Sequence, residues 1–309
     1  MREAARPIGG EHGPLAEPSR LLTLIRNAVS PGTLNALPVI ALFLAGFAGP
    51  LVIVGLMSFV PERTFGFHGV WSVESYARMF SGETSHYISF IWSFGLAITT
   101  VAILLLVCYP IAYGMAKVFG RWTAPITLLL VLPLFVSENV RLFGWVLFLL
   151  KGGGILAGIA KTLFGLDPGS MLYTPEVVLL GMCYVYLPFM LFPIELGIAM
   201  VPRDVVESAS DLGANRWQIF REIELPLAMP GILVGMLLTF VLAVGAVSEA
   251  TILGGQNISV IALDIRRDFT YSQNWPGGSA VAMLVTVVTA VLVVLLLMRL
   301  NLDRLLGRR

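Results

Sequence analysis

Charge is scarce in this chain of 309 residues: Asp, Glu, Lys and Arg make up 13% of it, and apolar residues make up 57%. A soluble globular protein carries about 25% charged residues, so this composition excludes an ordinary water-facing surface. Six stretches have no charged residue at all, namely 27–61, 84–116, 122–137, 177–194, 225–248 and 269–298. Since a helix needs about 20 apolar residues to cross a bilayer, the sequence predicts an all-α integral membrane protein.

The charge-free stretches predict six transmembrane helices, at about 36–60, 87–116, 122–139, 175–200, 226–253 and 276–300. The third and fourth stretches are short, and they span only if neighbouring polar residues snorkel or face protein. Two further apolar pieces, 142–150 and 152–160, are too short to span and are predicted to lie at the membrane interface.

Residues that support bond chemistry are also missing. The two cysteines, Cys108 and Cys183, both fall within predicted spans, which argues against a disulfide framework. The three histidines lack ligand-like spacing, and no phosphate-binding loop or nucleophile motif is present. The sequence therefore predicts no catalytic residue, no metal site and no cofactor, and the net charge of +1 gives no reason to expect nucleic acid as a partner.

The distribution of basic residues predicts the orientation. With six spans, thirteen Lys and Arg fall on the side that holds both termini, and seven fall on the other side. Positive residues favour the cytoplasmic side, so both termini are predicted to be cytoplasmic. Residues 1–30 are then a flexible cytoplasmic tail, 31–300 form the transmembrane domain, and 301–309 form a short cytoplasmic tail.

Polar residues return between the fourth and fifth spans, in a segment over 202–225 that we call the hairpin. Pro202 suits the first turn of a helix, and Gly213 can end that helix because it takes positive φ without a Cβ clash. Asn215 can cap a second short helix, which Pro226 and Pro230 end. Two interpretations stay open: an apolar stripe that binds a partner, or a loop that packs on its own helices or on lipid.

A motif within the hairpin favours the first interpretation. Glu207-Ser208-Ala209, then Gly213, then Ile223-Glu224-Leu225-Pro226 after nine residues, resembles the cytoplasmic signature of permease subunits of type I ABC importers. Ser208 replaces the first alanine of the pattern Glu-Ala-Ala, three residues, Gly, nine residues, Ile-x-Leu-Pro. The resemblance implies that fold, with six transmembrane helices and a cytoplasmic coupling-helix hairpin between helices 4 and 5, in the inner membrane of a bacterium.

The stretches "LPLFVSENVRLFGW", "SEATILGG" and "NWPGGSA" are similar to those of polyamine permeases, which transport spermidine and putrescine. The resemblance implies cytoplasmic ATPase subunits that bind the ATP, a second permease subunit, and an extracytoplasmic substrate-binding protein. The residues expected to couple the hairpin to the ATPase are Glu207, Ser208, Ala209, Asp211, Leu212 and Gly213.

Acidic groups at membrane depth are candidates for the substrate path. An ionised carboxylate inside a bilayer costs at least about 2.5–3.5 kcal/mol, so Glu249, near the end of the fifth span, should face protein or water. Glu138 and Arg141, which follow the third span, are the other candidates, and structural pairing is the alternative for all three. A self-sufficient secondary transporter or channel for a small cation remains the alternative function, and it has no use for an ATPase-coupling hairpin.

Overall fold

The computed structural model of the protein describes residues 31–62, 71–81, 86–150, 154–164, 172–255 and 257–299. Within these ranges the chain is helical or irregular, and they contain no β-strand. The predicted tails over 1–30 and 301–309 lie outside the described residues. The prediction of an all-α fold is confirmed.

The described ranges contain fourteen α-helices. They are α1 Pro31–Phe43, α2 Gly49–Met57, α3 Glu74–Phe80, α4 His86–Tyr113, α5 Thr123–Val131, α6 Glu138–Leu149, α7 Ile155–Phe164, α8 Pro175–Ala199, α9 Arg203–Asp211, α10 Arg216–Ile219, α11 Leu225–Val244, α12 Ser248–Ile252, α13 Ile261–Thr270 and α14 Trp275–Arg299. Several helices are joined end to end by π-helical or 3₁₀ turns.

Five helical stretches in the described chain are long and apolar enough to cross a membrane: Ala36–Met57, His86–Val118, Pro175–Ala199, Arg216–Val244 and Trp275–Met298. A sixth forms if Gly120–Phe135 and Glu138–Leu149, which are bent by 98° at a short break, count as one span. This number agrees with the six predicted spans. The chain divides into two compact units, Met1–Ile53 and Val54–Arg309. The first stretch runs from the end of the first unit into the second, and all later helices belong to the second unit.

The third span ends earlier than predicted. It stops in a 3₁₀ turn at Phe135 instead of residue 139, and Val136 is extended. A new helix, α6, then begins at Glu138 in a different direction. The stretch 142–150, predicted to lie at the membrane interface, is mostly part of α6, and its Leu142 is fully buried.

The fifth span also differs from the prediction, at both ends. It starts at Arg216 instead of 226, because a π-helical turn over Phe220–Glu224 joins α10 to α11 without a break. Pro226 does not end the helix. It lies in the first turn of α11, directly after the π-helical turn, and a proline is tolerated in the first turn of an α-helix. At the other end the helix stops at Val244 instead of 253, and Glu249 lies on the separate short helix α12.

Helix α8 forms the centre of the second unit and packs against both α4 and α11, which also pack against each other. Its buried side chains include Met182, Met190, Leu191 and Ile194. Glycines allow α8 and α11 to approach closely: a Cβ built on Gly231 would lie 2.6 Å from Cα of Gly197.

Candidate functional site

The hairpin is two helices joined at a glycine. Helix α9 ends at Asp211, and Gly213 has a φ of +87°, a conformation in which a side chain would be strained. The N–H of Ala214 donates to the carbonyl of Ala209 at 3.1 Å and so closes the helix end. This confirms that Gly213 caps the first helix of the hairpin.

The second helix of the hairpin begins with a capping box. The Asn215 side chain accepts from the Gln218 N–H at 2.9 Å, and the Gln218 side chain accepts from the Asn215 N–H at 3.0 Å. Both donors would otherwise be unsatisfied at a helix start, so the angle between α9 and α10 is defined by hydrogen bonds on both sides of Gly213.

Most of the predicted coupling residues are exposed. Glu207, Ser208, Asp211, Leu212 and Gly213 all face away from the bundle, and only Ala209 is half-buried. Leu212 is 89% exposed and Trp217 is 67% exposed, although both are large and apolar. Large apolar side chains surrounded by charges are characteristic of a surface that another protein covers.

The base of the hairpin is attached to α4. Lys117, in the π-helical turn that follows α4, donates from Nζ to the Val201 carbonyl at 3.3 Å. Tyr109 of α4 meets Phe220 edge to face, with the ring centroids 5.9 Å apart. Because α10 continues into α11 without a break, the hairpin is joined directly to α11 and, through these contacts, to α4.

Glu249 is the most deeply buried acidic residue of the described chain, with 0% of its surface exposed. Neither carboxylate oxygen accepts a hydrogen bond of standard geometry from the described residues, although the Tyr186 hydroxyl is close enough for a weaker one. Tyr186, Glu138 and Arg141 are close enough to interact electrostatically with it. An ionised carboxylate without a partner is costly at such a site, so Glu249 is either neutral there or compensated by a cation.

The structure thus brings together the three substrate-path candidates, and it places them beside the middle of α8. Tyr186 is near the midpoint of the 25-residue helix Pro175–Ala199. The sequence predicted that Glu249 lies near the end of a spanning helix. In the structure it lies deeper in the bundle. The helix breaks after Val244, and the separate helix α12 packs against α6 and α8.

Arg141 does not form an ion pair with Glu138, although the sequence suggested that pairing. Its guanidinium carbon lies 5.7 Å from the ring centroid of Tyr184, and its Nε has no hydrogen-bond partner in the described chain. Trp145 packs edge to face on the same tyrosine, with centroids 5.7 Å apart. Arg141, Trp145 and Tyr184 line an open cavity of about 330 Å³.

Sequence reasoning missed Tyr184 and Tyr186 as members of the site. Both lie in an apolar stretch of α8, where only their hydroxyl groups distinguish them from core residues. Two polar aromatic residues two positions apart within a span are the signal that could have found them.

Comparisons with known proteins agree with the fold. The chain superimposes on a chain of the bacterial alginate ABC transporter, solved in complex with an alginate pentasaccharide-bound periplasmic protein, with a TM-score of 0.69 and 19% identity. The match covers 90% of this chain and 96% of the other. The described helices therefore have the fold of an ABC transporter permease.

The sequence defines the family. Residues 69–307 match the model of the binding-protein-dependent transport system inner membrane component, and the chain belongs to that family. It is 33% identical over 253 residues to the spermidine/putrescine transport system permease protein PotB of Haemophilus influenzae, covering 79% of this chain and 85% of the relative. The protein of the same name from Salmonella typhimurium is 29% identical over 250 residues, covering 81% and 86%.

This membership confirms the resemblance and the class of function that it implied. The protein is a multi-pass inner-membrane permease subunit of an ABC importer.

Proposed function

We propose that this permease carries a polyamine, such as spermidine or putrescine, through a path that includes Glu249. The observation that carries the proposal is the complete burial of an acidic side chain whose oxygens accept no hydrogen bond of standard geometry and have the Tyr186 hydroxyl as a nearby donor. Similarity to spermidine/putrescine permeases over about four fifths of the chain supports the substrate class.

The surroundings of Glu249 suit a protonated amine. A carboxylate can replace part of the water that an ammonium group loses, and aromatic faces attract cations within about 6 Å. Glu138 and Tyr186 provide such groups close to Glu249, and Arg141 connects this group to the aromatic pair Tyr184 and Trp145. Arg141 provides a competing positive charge, which lies over Tyr184 and would keep an amine on the Glu249 side.

The hairpin is the proposed contact with a separate cytoplasmic ATPase subunit, and the chain itself is not catalytic. Glu207, Ser208, Asp211, Leu212 and Gly213 form the exposed side of this contact. The thirteen-to-seven distribution of Lys and Arg supports a cytoplasmic hairpin and two cytoplasmic termini. A second permease subunit and an extracytoplasmic binding protein, which delivers the amine, complete the proposed importer.

Uptake by a Glu249→Gln variant tests the substrate path. Amide and carboxylate have nearly the same shape, so the variant should assemble normally while radiolabelled spermidine uptake in membrane vesicles falls at least about tenfold, equivalent to about 1.4 kcal/mol of lost charge interaction. Glu195→Gln is the matched control, since Glu195 is half-buried on α8 near its hairpin end. Uptake by Glu249→Gln equal to that by Glu195→Gln would remove Glu249 from the path.

The substrate class needs a separate measurement. Spermidine and putrescine should compete with each other for uptake by the wild-type importer, whereas an uncharged diol of equal length should not compete. Competition by the diol would contradict recognition through charge, whatever the Glu249 variant does.

A further inference from the structure

His86, the first residue of α4, faces two carboxylates of one other helix. Its Nδ1 lies 3.4 Å from Oδ2 of Asp264, and its Nε2 lies 3.7 Å from Oδ2 of Asp268. The two aspartates are four positions apart on α13 and so share one side of that helix. We call these three residues the His86 cluster. They join α4 to α13, and His86 and Asp264 are 178 positions apart in sequence.

The cluster is largely closed to solvent. The side chains of His86, Asp264 and Asp268 are 19%, 2% and 14% exposed. Asp264 also accepts a hydrogen bond from Ser259 Oγ at 2.9 Å, and the guanidinium of Arg267 lies 3.7 Å away. Asp268 has no comparable second donor among these residues, so His86 is its main source of positive charge.

A polar cavity of about 200 Å³ lies beside the imidazole, lined by His86, Asp268, Glu62 and Arg78 among others. Arg78 pairs with both Glu62 and Glu74. The charged groups around His86 in the described chain are therefore the two aspartates and Arg267 on α13, Arg78 and Glu74 on α3, and Glu62 before it. The four carboxylates outnumber the two guanidinium groups, and a proton on His86 would offset part of this excess.

The two aspartates differ in how well they are compensated. Burial would raise the pKa of Asp264, but hydrogen bonds from His86 and Ser259 outweigh it and hold the pKa below its usual value. Burial raises the pKa of Asp268, and the charge of His86 only partly opposes this. Asp268 therefore depends more on His86 than Asp264 does.

The protonated imidazole suits this geometry best. A neutral imidazole has one N–H, whereas both ring nitrogens lie near a carboxylate, Nδ1 within hydrogen-bond distance of Asp264 and Nε2 at a longer ion-pair distance from Asp268. The imidazolium has N–H groups on both nitrogens and carries the charge that the two carboxylates attract.

We propose that His86 is a protonation-dependent positioning residue that holds the second half of α13 against the start of α4. The first half has an anchor that does not titrate, because the Ile261 N–H donates to the buried Ser93 Oγ at 2.7 Å. Ile265 and Phe269 also pack against residues of α14. Loss of the proton from His86 therefore loosens residues 265–270 from α4 and leaves the beginning of the helix in place. This inference goes beyond the proposed substrate path and does not depend on it.

The direction of the pH dependence follows from the ionisation of the two carboxylates and of the His86 imidazole. The contact needs Asp264 and Asp268 ionised and His86 protonated, so it is complete above the range in which carboxylates take up protons. It is lost as the pH rises through the near-neutral range in which histidine loses its proton. The carboxylates stay ionised at higher pH, but they do not restore the contact because His86 has lost its positive charge.

Hydrogen exchange of the full chain in lipid nanodiscs between pH 5.5 and 8.5, corrected for intrinsic rates, tests the proposal. Protection of amides 265–270 should fall about tenfold or more as the pH rises, while amides 261–263 stay protected. Tenfold is the effect of one pKa unit between the held and released states. His86→Gln should show the low protection at every pH, and the control His12→Gln, in the first 30 residues, should titrate like the wild type.

Equal protection of 265–270 in the wild type at both ends of the pH range would overturn the proposal, as would a wild-type titration in His86→Gln. If His86→Gln does not fold, Asp268→Asn provides the second test, since it keeps the histidine and removes one of its two carboxylates. Its loss of protection should occur at a lower pH than in the wild type, and an unchanged midpoint would contradict the role of the cluster.

Discussion

The hairpin and α13 are both short polar helical segments, but they use their charges in opposite ways. Seven of the eight charged residues of the hairpin face solvent, Glu224 being buried at its base, and none of the eight forms an ion pair within the described chain. On α13 the acidic residues face inward and pair with His86 and Arg267. Charges that the fold satisfies hold a helix in place, whereas charges and large apolar groups that it leaves exposed are available to another protein.

The largest effect should come from Gly213→Asp in the hairpin. The substitution adds a negative charge to the exposed side and strains a residue at φ +87°, but a Cβ there meets no atom within 4 Å. We expect ATP-driven uptake to fall at least about a hundredfold, which is about 2.7 kcal/mol of coupling, while the permease remains in the membrane.

Gly120→Asp is the matched control for that variant. Gly120 also has a positive φ, +51°, and open space around its Cβ, but it lies outside the hairpin. It should bear the same backbone strain and keep its uptake. Equal loss of uptake in both variants would mean that strain, and not the hairpin contact, causes the defect.

Asp264→Asn should have an effect of similar size, but it acts on stability. Breaking a buried ion pair costs about 3–5 kcal/mol, and here His86 and Arg267 lose the negative charge that they face while one acceptor oxygen becomes an NH2 donor. The free energy of unfolding, measured by denaturant titration in detergent, should fall by about 3 kcal/mol. Asp211→Asn in the hairpin should change it by less than about 0.5 kcal/mol, and a larger change there would weaken the contrast between the two segments.

Asn215→Ala should have the smallest effect. It removes the side-chain acceptor of the capping box and should destabilise the second hairpin helix by about 1 kcal/mol. Exchange of the amides over 216–219 should become about fivefold faster in the isolated permease. If the ATPase covers the hairpin, adding that subunit should restore most of the protection, and no restoration would argue against the contact.

Local patterns in the sequence were sufficient to predict much of the fold. The charge-free stretches predicted the spans, and Gly213 and Asn215 predicted the turn of the hairpin, because each depends on neighbouring residues only. The same locality explains two wrong boundaries. Pro226 is usually read as a helix end, but the π-helical turn before it accommodates the proline, and the break after Val244 has no strong sequence signal.

By itself, then, the sequence determined that the chain is an α-helical membrane protein, where most helices run and to which family it belongs. Only the tertiary structure decided which side chains meet: the 98° bend before α6 brings Arg141 and Glu138 to Glu249, and packing of α13 on α4 brings Asp264 to His86. The reason is physical. Periodicity and helix caps depend on residues a few positions apart, whereas these contacts join residues about a hundred or more positions apart and exist only once the helices have packed.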